Sequence, residues 1–261
     1  MGVLSQSQAQ IYSLNNNNSV AQINVGSSAG IFNWSVDGQN QLAQSWFWYR
    51  VGSTPEAPIN AISPAIINSY VNIPALNKLD ITYGNTNYSV SALFQVAGQT
   101  AGSGRSSMGQ TITVANLSGS SLDFHLFQYS DFDLGGVTGS QSVQYFLNGI
   151  TGQYYQVVQT FGSRSVTETV NSATPPIGHV EAGLFNATLV KLNDGVASTL
   201  NDNLAIGPGD ATFAYEWDVT LAPGATFQIS KILAIVPEPS IAALLGLGTG
   251  IVTLYRRRRS S

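Results

Sequence analysis

The sequence predicts an all-β protein: an antiparallel β-sandwich of jelly-roll-like form, followed by a single C-terminal hydrophobic helix. Three observations carry this. Apolar residues recur at every second position in many short runs, as in strands with one buried face. Before residue 237 no run combines helical periodicity with capping signals. After it, the fifteen uncharged residues Ile241 to Tyr255 lead into Arg256, Arg257, Arg258 and Arg259.

The first nine residues, MGVLSQSQA, contain no apolar run of signal-peptide length. Ser7-Gln8-Ala9 nevertheless has the small-x-small form of a cleavage site before Gln10. Residues 1–20 are therefore expected to be a flexible N-terminus, a candidate remnant of a signal peptide.

Residues 21–236 form the expected sandwich. Strand-like runs cover 31–36, 45–51, 87–96, 110–117, 122–129, 142–147, 154–161, 184–192, 212–220 and 225–236. In the ninth run Phe213, Tyr215, Trp217 and Val219 share one face. Thr212, Ala214, Glu216 and Asp218 share the other. Gly and Asn punctuate the gaps, as in Asp37-Gly38 and Asn193-Asp194-Gly195. Ten or more strands in this length fit two packed sheets. Two smaller sandwiches divided within residues 98–109 are the second arrangement.

The chain has 261 residues, of which 43% are apolar and only 9% charged. Its 30 Ser, 19 Thr, 20 Asn and 17 Gln make the surface polar but largely neutral. Six basic and thirteen acidic residues lie before residue 237, a formal charge of −7. Such a body does not suit nucleic acid, which needs a basic face. With no cysteine, disulfides and thiolate metal sites are excluded.

Residues 237–261 form the third part. Pro237-Glu238-Pro239 is a rigid break, the span 241–255 is apolar, and the four arginines follow. As a helix the span reaches about 22 Å, short of the roughly 30 Å apolar slab. Bilayer thinning and arginine snorkelling extend that reach. The arginines are expected on the cytoplasmic side, with the body outside. A buried or amphipathic helix is the alternative, but the segment has no polar face.

This arrangement resembles the PEP-CTERM sorting tail, with Pro237, Glu238 and Pro239 as its motif. The resemblance covers only these last residues. It implies processing by an exosortase at the inner membrane of a Gram-negative bacterium. It also implies delivery to the cell surface or to an extracellular, exopolysaccharide-rich biofilm matrix. The segments Trp46 to Gly52 and Tyr129 to Leu134 make the body similar to others found ahead of such tails, a likeness that carries over no catalytic residue.

Candidate chemistry in the body is sparse. His125 shares a strand face with Asp123 and Phe127, and His179 follows Pro175-Pro176 in an expected loop. Each is read as an isolated histidine. Asp131 with Asp133, and Glu216 with Asp218, place carboxylates at i and i+2, about 7 Å apart on a strand. That spacing is compatible with a glycosidase pair, although a solvated face is the ordinary reading. Asp131 and Asp133 before Leu134-Gly135-Gly136 are candidate calcium ligands, the one cofactor the sequence suggests. Trp46 and Trp48 share a face and are candidate sugar-stacking rings, with a core strand as the alternative. Gly102-Ser103-Gly104-Arg105-Ser106 reads as a flexible loop, and no phosphate-binding or dinucleotide glycine motif occurs in strand-to-helix context.

The sequence alone therefore predicts an exported surface or matrix protein whose body is structural or adhesive, without catalysis. A carbohydrate-binding module for exopolysaccharide is the alternative, and a secreted glycoside hydrolase or lyase the third reading.

Overall fold

Alternating burial is what makes each segment a strand here. Ser106–Asn116 alternates buried and half-exposed residues along its whole length, and Leu76–Gly84 does nearly the same. The computed structural model describes residues 10–73 and 76–237. In chain order the strands begin with β1 (Ile11–Asn16), β2 (Ser19–Asn24), β3 (Gly30–Val36), β4 (Gln39–Asn40), β5 (Gln44–Val51) and β6 (Ala57–Pro58). Next come β7 (Ile66–Ile73), β8 (Leu76–Gly84), β9 (Tyr88–Gly98), β10 (Ser106–Asn116), β11 (Leu122–Asp131) and β12 (Gln141–Leu147). The last are β13 (Tyr154–Phe161), β14 (Arg164–Ala173), β15 (His179–Leu184), β16 (Ala205–Gly209), β17 (Ala211–Leu221) and β18 (Thr226–Pro237). Among the described residues one short α-helix, α1 (Ala187–Lys191), lies between β15 and β16, and two 3-10 turns cover Ile59–Ala61 and Leu134–Gly136.

These strands make two nine-stranded sheets. The first runs β1-β2-β3-β5-β11-β17-β15, with β4 beside β3 and β6 beside β5. The second runs β16-β12-β13-β14-β18-β10-β9-β8-β7. Pairing between the named strands is antiparallel except for a short parallel contact between β3 and β5. The two-sheet antiparallel architecture expected from the sequence is present. The sheets are wider than an eight-stranded jelly roll, and much of the second is built from hairpins between sequence neighbours. Residues 98–109 are one such hairpin, joining β9 to β10, and mark no boundary.

Three local expectations are corrected. Strand β1 starts at Ile11, inside the stretch read as flexible. The Asn17-Asn18 turn closes a β1–β2 hairpin that buries Leu14 and Ala21. The run 184–192 is not a strand, because Asn186 turns into the left-handed region at φ 68° and starts α1. Pro237 does not stand outside the sheet. It is the last residue of β18, opposite Arg164, a strand end where a missing N–H is tolerated. The apolar segment 241–255 lies outside the described residues. Among the described residues no helix is long and apolar enough to cross a membrane.

The core fills the space between the sheets with aromatics. Phe47 meets Phe94 across it, and Phe124 stacks on Tyr49 at 5.8 Å. Full burial of such rings is worth roughly 1.5–3 kcal/mol each. The packing is close: Gly30 has φ +54°, and a Cβ there would lie 2.2 Å from the Trp46 ring. One polar network crosses this core. Lys231 Nζ on β18 is 2.9 Å from Glu168 on β14 and also donates to Gln128 on β11. It lies 4.9 Å from the Phe47 ring centre. Gln128 donates to Glu168 and to Ser130, which bonds Ser45. Burial holds the Lys231 pKa below that of a free lysine, against the pull of Glu168.

Candidate functional site

The register of the first sheet assembles a polar site. His125 on β11 stands opposite Asp218 on β17 and Arg50 on β5. One row away, His179 on β15 stands opposite Glu216 on β17. Four neighbouring strands thus contribute two histidines, two carboxylates and an arginine. The alternation seen in the sequence puts Glu216 and Asp218 on one face. The other face of β17, with Tyr215 and Trp217, is buried.

The side chains are tied together. His125 Nδ1 bonds Asp218 Oδ1, and His125 Nε2 lies 3.5 Å from Asp123. His179 Nδ1 bonds Asp202 at 2.9 Å, while its Nε2 lies 4.0 Å from the second oxygen of Asp218. Two imidazoles therefore flank one carboxylate. Beneath them Glu216 is fully buried; it accepts from Arg50 at 3.3 Å and from the Leu200 N–H at 2.8 Å. Arg50 donates to Glu56 at 2.9 Å and to the carbonyls of Gly52 and Ser198, and lies over the Phe127 ring.

The segment after α1 roofs part of this face. The Ser198 N–H donates to Glu56, the Asn201 N–H to Glu181, and Asp202 accepts from the Val180 N–H. Glu181 also accepts from Thr188 and pairs with Lys191, which fixes α1. Asp218 and His179 keep about a third of their side-chain surface exposed, and His125 less.

The electrostatics set distinct protonation tendencies. The Asp218 bond raises the His125 pKa against burial and Arg50. At His179 burial is the largest influence and lowers the pKa, but Asp202 and the other carboxylates raise it overall. Burial also acts most strongly on Asp218, yet His125 holds its pKa below the ordinary value. Burial pushes Glu216 up to about 7, with Leu200, His179 and Arg50 pulling the other way. A proton acceptor near neutrality beside two stabilised imidazoles suits proton transfer. One donor atom each from His125, Glu216 and Asp218 falls within a metal-sized 4.8 Å, but protein groups already engage all three side chains.

The expected site residues fare differently. Trp46 and Trp48 are both 0% exposed, which corrects the sugar-stacking expectation. Trp46 stacks on Phe94, and Trp48 packs on Tyr129 with its N–H bonded to Asn193. A strand in mid-sheet with both faces covered has no ring to offer a ligand. Asp131 and Asp133 do come together, joined by Asp210 from the turn before β17. Burial, then the charges of Asp133 and Asp210, pushes Asp131 up to about 7. Glu238, Pro239 and Arg256 to Arg259 lie outside the described residues. A surface depression of about 480 Å³ between β12, β13 and β16 is lined by no titratable side chain.

No protein-family model matches the sequence, and comparison with curated proteins finds no match. Solved structures do match the fold. A bacterial glucoamylase complexed with acarbose superposes with a TM-score of 0.61 at 12% identity, over 94% of this chain and 34% of its own. This chain thus spans about a third of that enzyme. A galactose mutarotase related enzyme from Lactobacillus acidophilus gives 0.54 at 7% identity, over 88% of this chain and 98% of its own. A mutant heparan sulfate lyase HepC from Pedobacter heparinus gives 0.51 at 12% identity, over 92% and 37%. The chain thus shares its two-sheet fold with these proteins.

This overturns the expectation of a passive body without catalysis. The fold is shared with enzymes, and the first sheet carries a constellation that the sequence did not reveal. His125 and His179 are not isolated, because each is joined to an aspartate.

Proposed function

We propose that the body binds and acts on carbohydrate by proton transfer at the His125–Asp218–His179 group. The observation that carries this reading is the pair of imidazoles on one partly exposed carboxylate, above a buried Glu216 with a pKa near 7. The mutarotase-like fold supports carbohydrate as the substrate class.

Interconversion of sugar anomers is the simplest reaction that fits. A base removes the C1 hydroxyl proton as the bond from C1 to the ring oxygen breaks. An acid protonates that oxygen, and closure with the roles reversed returns both protons. Nothing leaves the sugar and no oxidant is needed. His125 and His179 exchange the protons, Asp218 and Asp202 orient them, and Arg50 with Glu216 sets the charge beneath.

The test follows anomer equilibration of freshly dissolved α-D-glucose and α-D-galactose by NMR, together with glycan-array binding and polysaccharide turnover. Acceleration lost in His125→Ala and His179→Ala supports the reading. Failure of the wild-type protein in all three assays refutes it.

The tail motif supports a second element of the reading: export, exosortase processing and release to the cell surface or exopolysaccharide matrix. Mass spectrometry of the natural exported protein tests it. A chain ending near Pro237 supports sorting, whereas an intact arginine-bearing chain soluble in the cytoplasm refutes it.

A further inference from the structure

The described residues hold two trios of side chains close enough to share one ion. The first, His125 with Glu216 and Asp218, is satisfied by protein donors. The second, Asp131 with Asp133 and Asp210, differs in every respect that matters. One oxygen from each lies within 4.8 Å of the others. Asp131 is only 4% exposed, and its Oδ1 has no hydrogen-bond partner. Oδ1 of Asp210 is likewise shielded from solvent and unpartnered. Among the described residues no Lys, Arg or His forms an ion pair with any of the three.

A buried carboxylate oxygen without a donor is costly, and native proteins rarely leave one unmatched. Here two such oxygens belong to members of one acidic cluster. Three separate pieces of chain supply it: the end of β11, the turn after it, and the connection between β16 and β17. Tyr129, two residues before Asp131 and on the same strand face, adds a buried hydroxyl. Thr212 and the Asn186 backbone are its polar neighbours, but neither makes a bond of normal geometry to it.

We propose that Asp131, Asp133 and Asp210 form a calcium site, each giving one carboxylate oxygen and water completing the shell. The donor set is all oxygen and irregular. That suits Ca²⁺ better than the nitrogen- and sulfur-seeking metals, and better than Mg²⁺, which demands near-ideal octahedral geometry. The site lies six residues along β11 from His125, roughly 20 Å. Its role is to pin three chain segments at that end of the sheet, independently of chemistry at the histidines.

The test uses the full chain stripped with EDTA. Millimolar Ca²⁺ is expected to raise Tm by about 3 °C or more, with Mg²⁺ giving a smaller rise. Tb³⁺ should bind with sensitised luminescence that Ca²⁺ displaces. Asp133→Asn and Asp210→Asn should each abolish both responses while raising the Tm of the ion-free protein, because removing a like charge relieves repulsion. The less buried Asp133 is the safer of the two for folding. The proposal is overturned if the wild-type protein shows neither a Ca²⁺-dependent Tm nor Tb³⁺ displacement, or if both variants respond as the wild type does.

Discussion

His125 and Asp218 face each other directly across β11 and β17, joined through Nδ1 and Oδ1 although 93 residues separate them in the chain. This pairing carries the first prediction. A histidine whose folded pKa is raised adds stability that is fully present below about pH 6.5. That stability is lost as pH rises through the folded value. Asp218→Asn should lower the His125 pKa, read from its imidazole protons by NMR. It should also weaken the fall of Tm as pH rises above about 6.5. An unchanged titration would contradict the electrostatic role given to Asp218.

Glu216 acts in the same direction over a lower range. Its folded pKa is raised from 4.5 to about 7, so the folded protein binds a proton that the unfolded chain releases. Stability should fall as pH rises from about 4.5 to 7, by on the order of 2–3 kcal/mol from this group. Glu216→Gln should flatten that slope in denaturant titrations at several pH values. A slope identical to wild type would show that Arg50 and the Leu200 N–H keep Glu216 ionised throughout.

The buried Lys231–Glu168 pair predicts a non-additive series. Lys231→Met alone leaves an uncompensated carboxylate between the sheets and should cost about 3–5 kcal/mol. Lys231→Met with Glu168→Leu should recover most of that loss, because the Phe47 face accepts an apolar neighbour. Urea unfolding of the two single variants and the double variant measures the coupling.

Two glycines separate strain from crowding. Gly38→Ala meets nothing within 4 Å but sits at φ +78°, so about 1 kcal/mol is expected. Gly30→Ala adds a clash with the Trp46 ring and should cost roughly 2–4 kcal/mol. Equal losses would mean that the Trp46 packing yields easily.

The strands were legible because their alternation is local. Phe213, Tyr215 and Trp217 declare a buried face, and Glu216 and Asp218 were visible as a same-face pair. Their neighbours were not. Nothing in the sequence says that β11 lies beside β17, so Asp218 and His125 looked like two unrelated residues. Asp123 and His125 on one strand face were the available signal. Asp210 was missed as a partner of Asp131 for the same reason. Trp46 and Trp48 misled because a run of four aromatics fits both a ligand platform and a fully covered strand, and only the neighbouring elements decide. Helix α1 spans five residues, too few to establish a period.

Strand β18 lies in the middle of the second sheet, between β14 and β10. Every residue before Thr226 leaves the ribosome first, so during synthesis that sheet exists as two halves with no seam between them. That sheet therefore cannot close until β18 has been made. A chain that terminates early, before residue 226, would present two raw strand edges and is a substrate for chaperones and proteases.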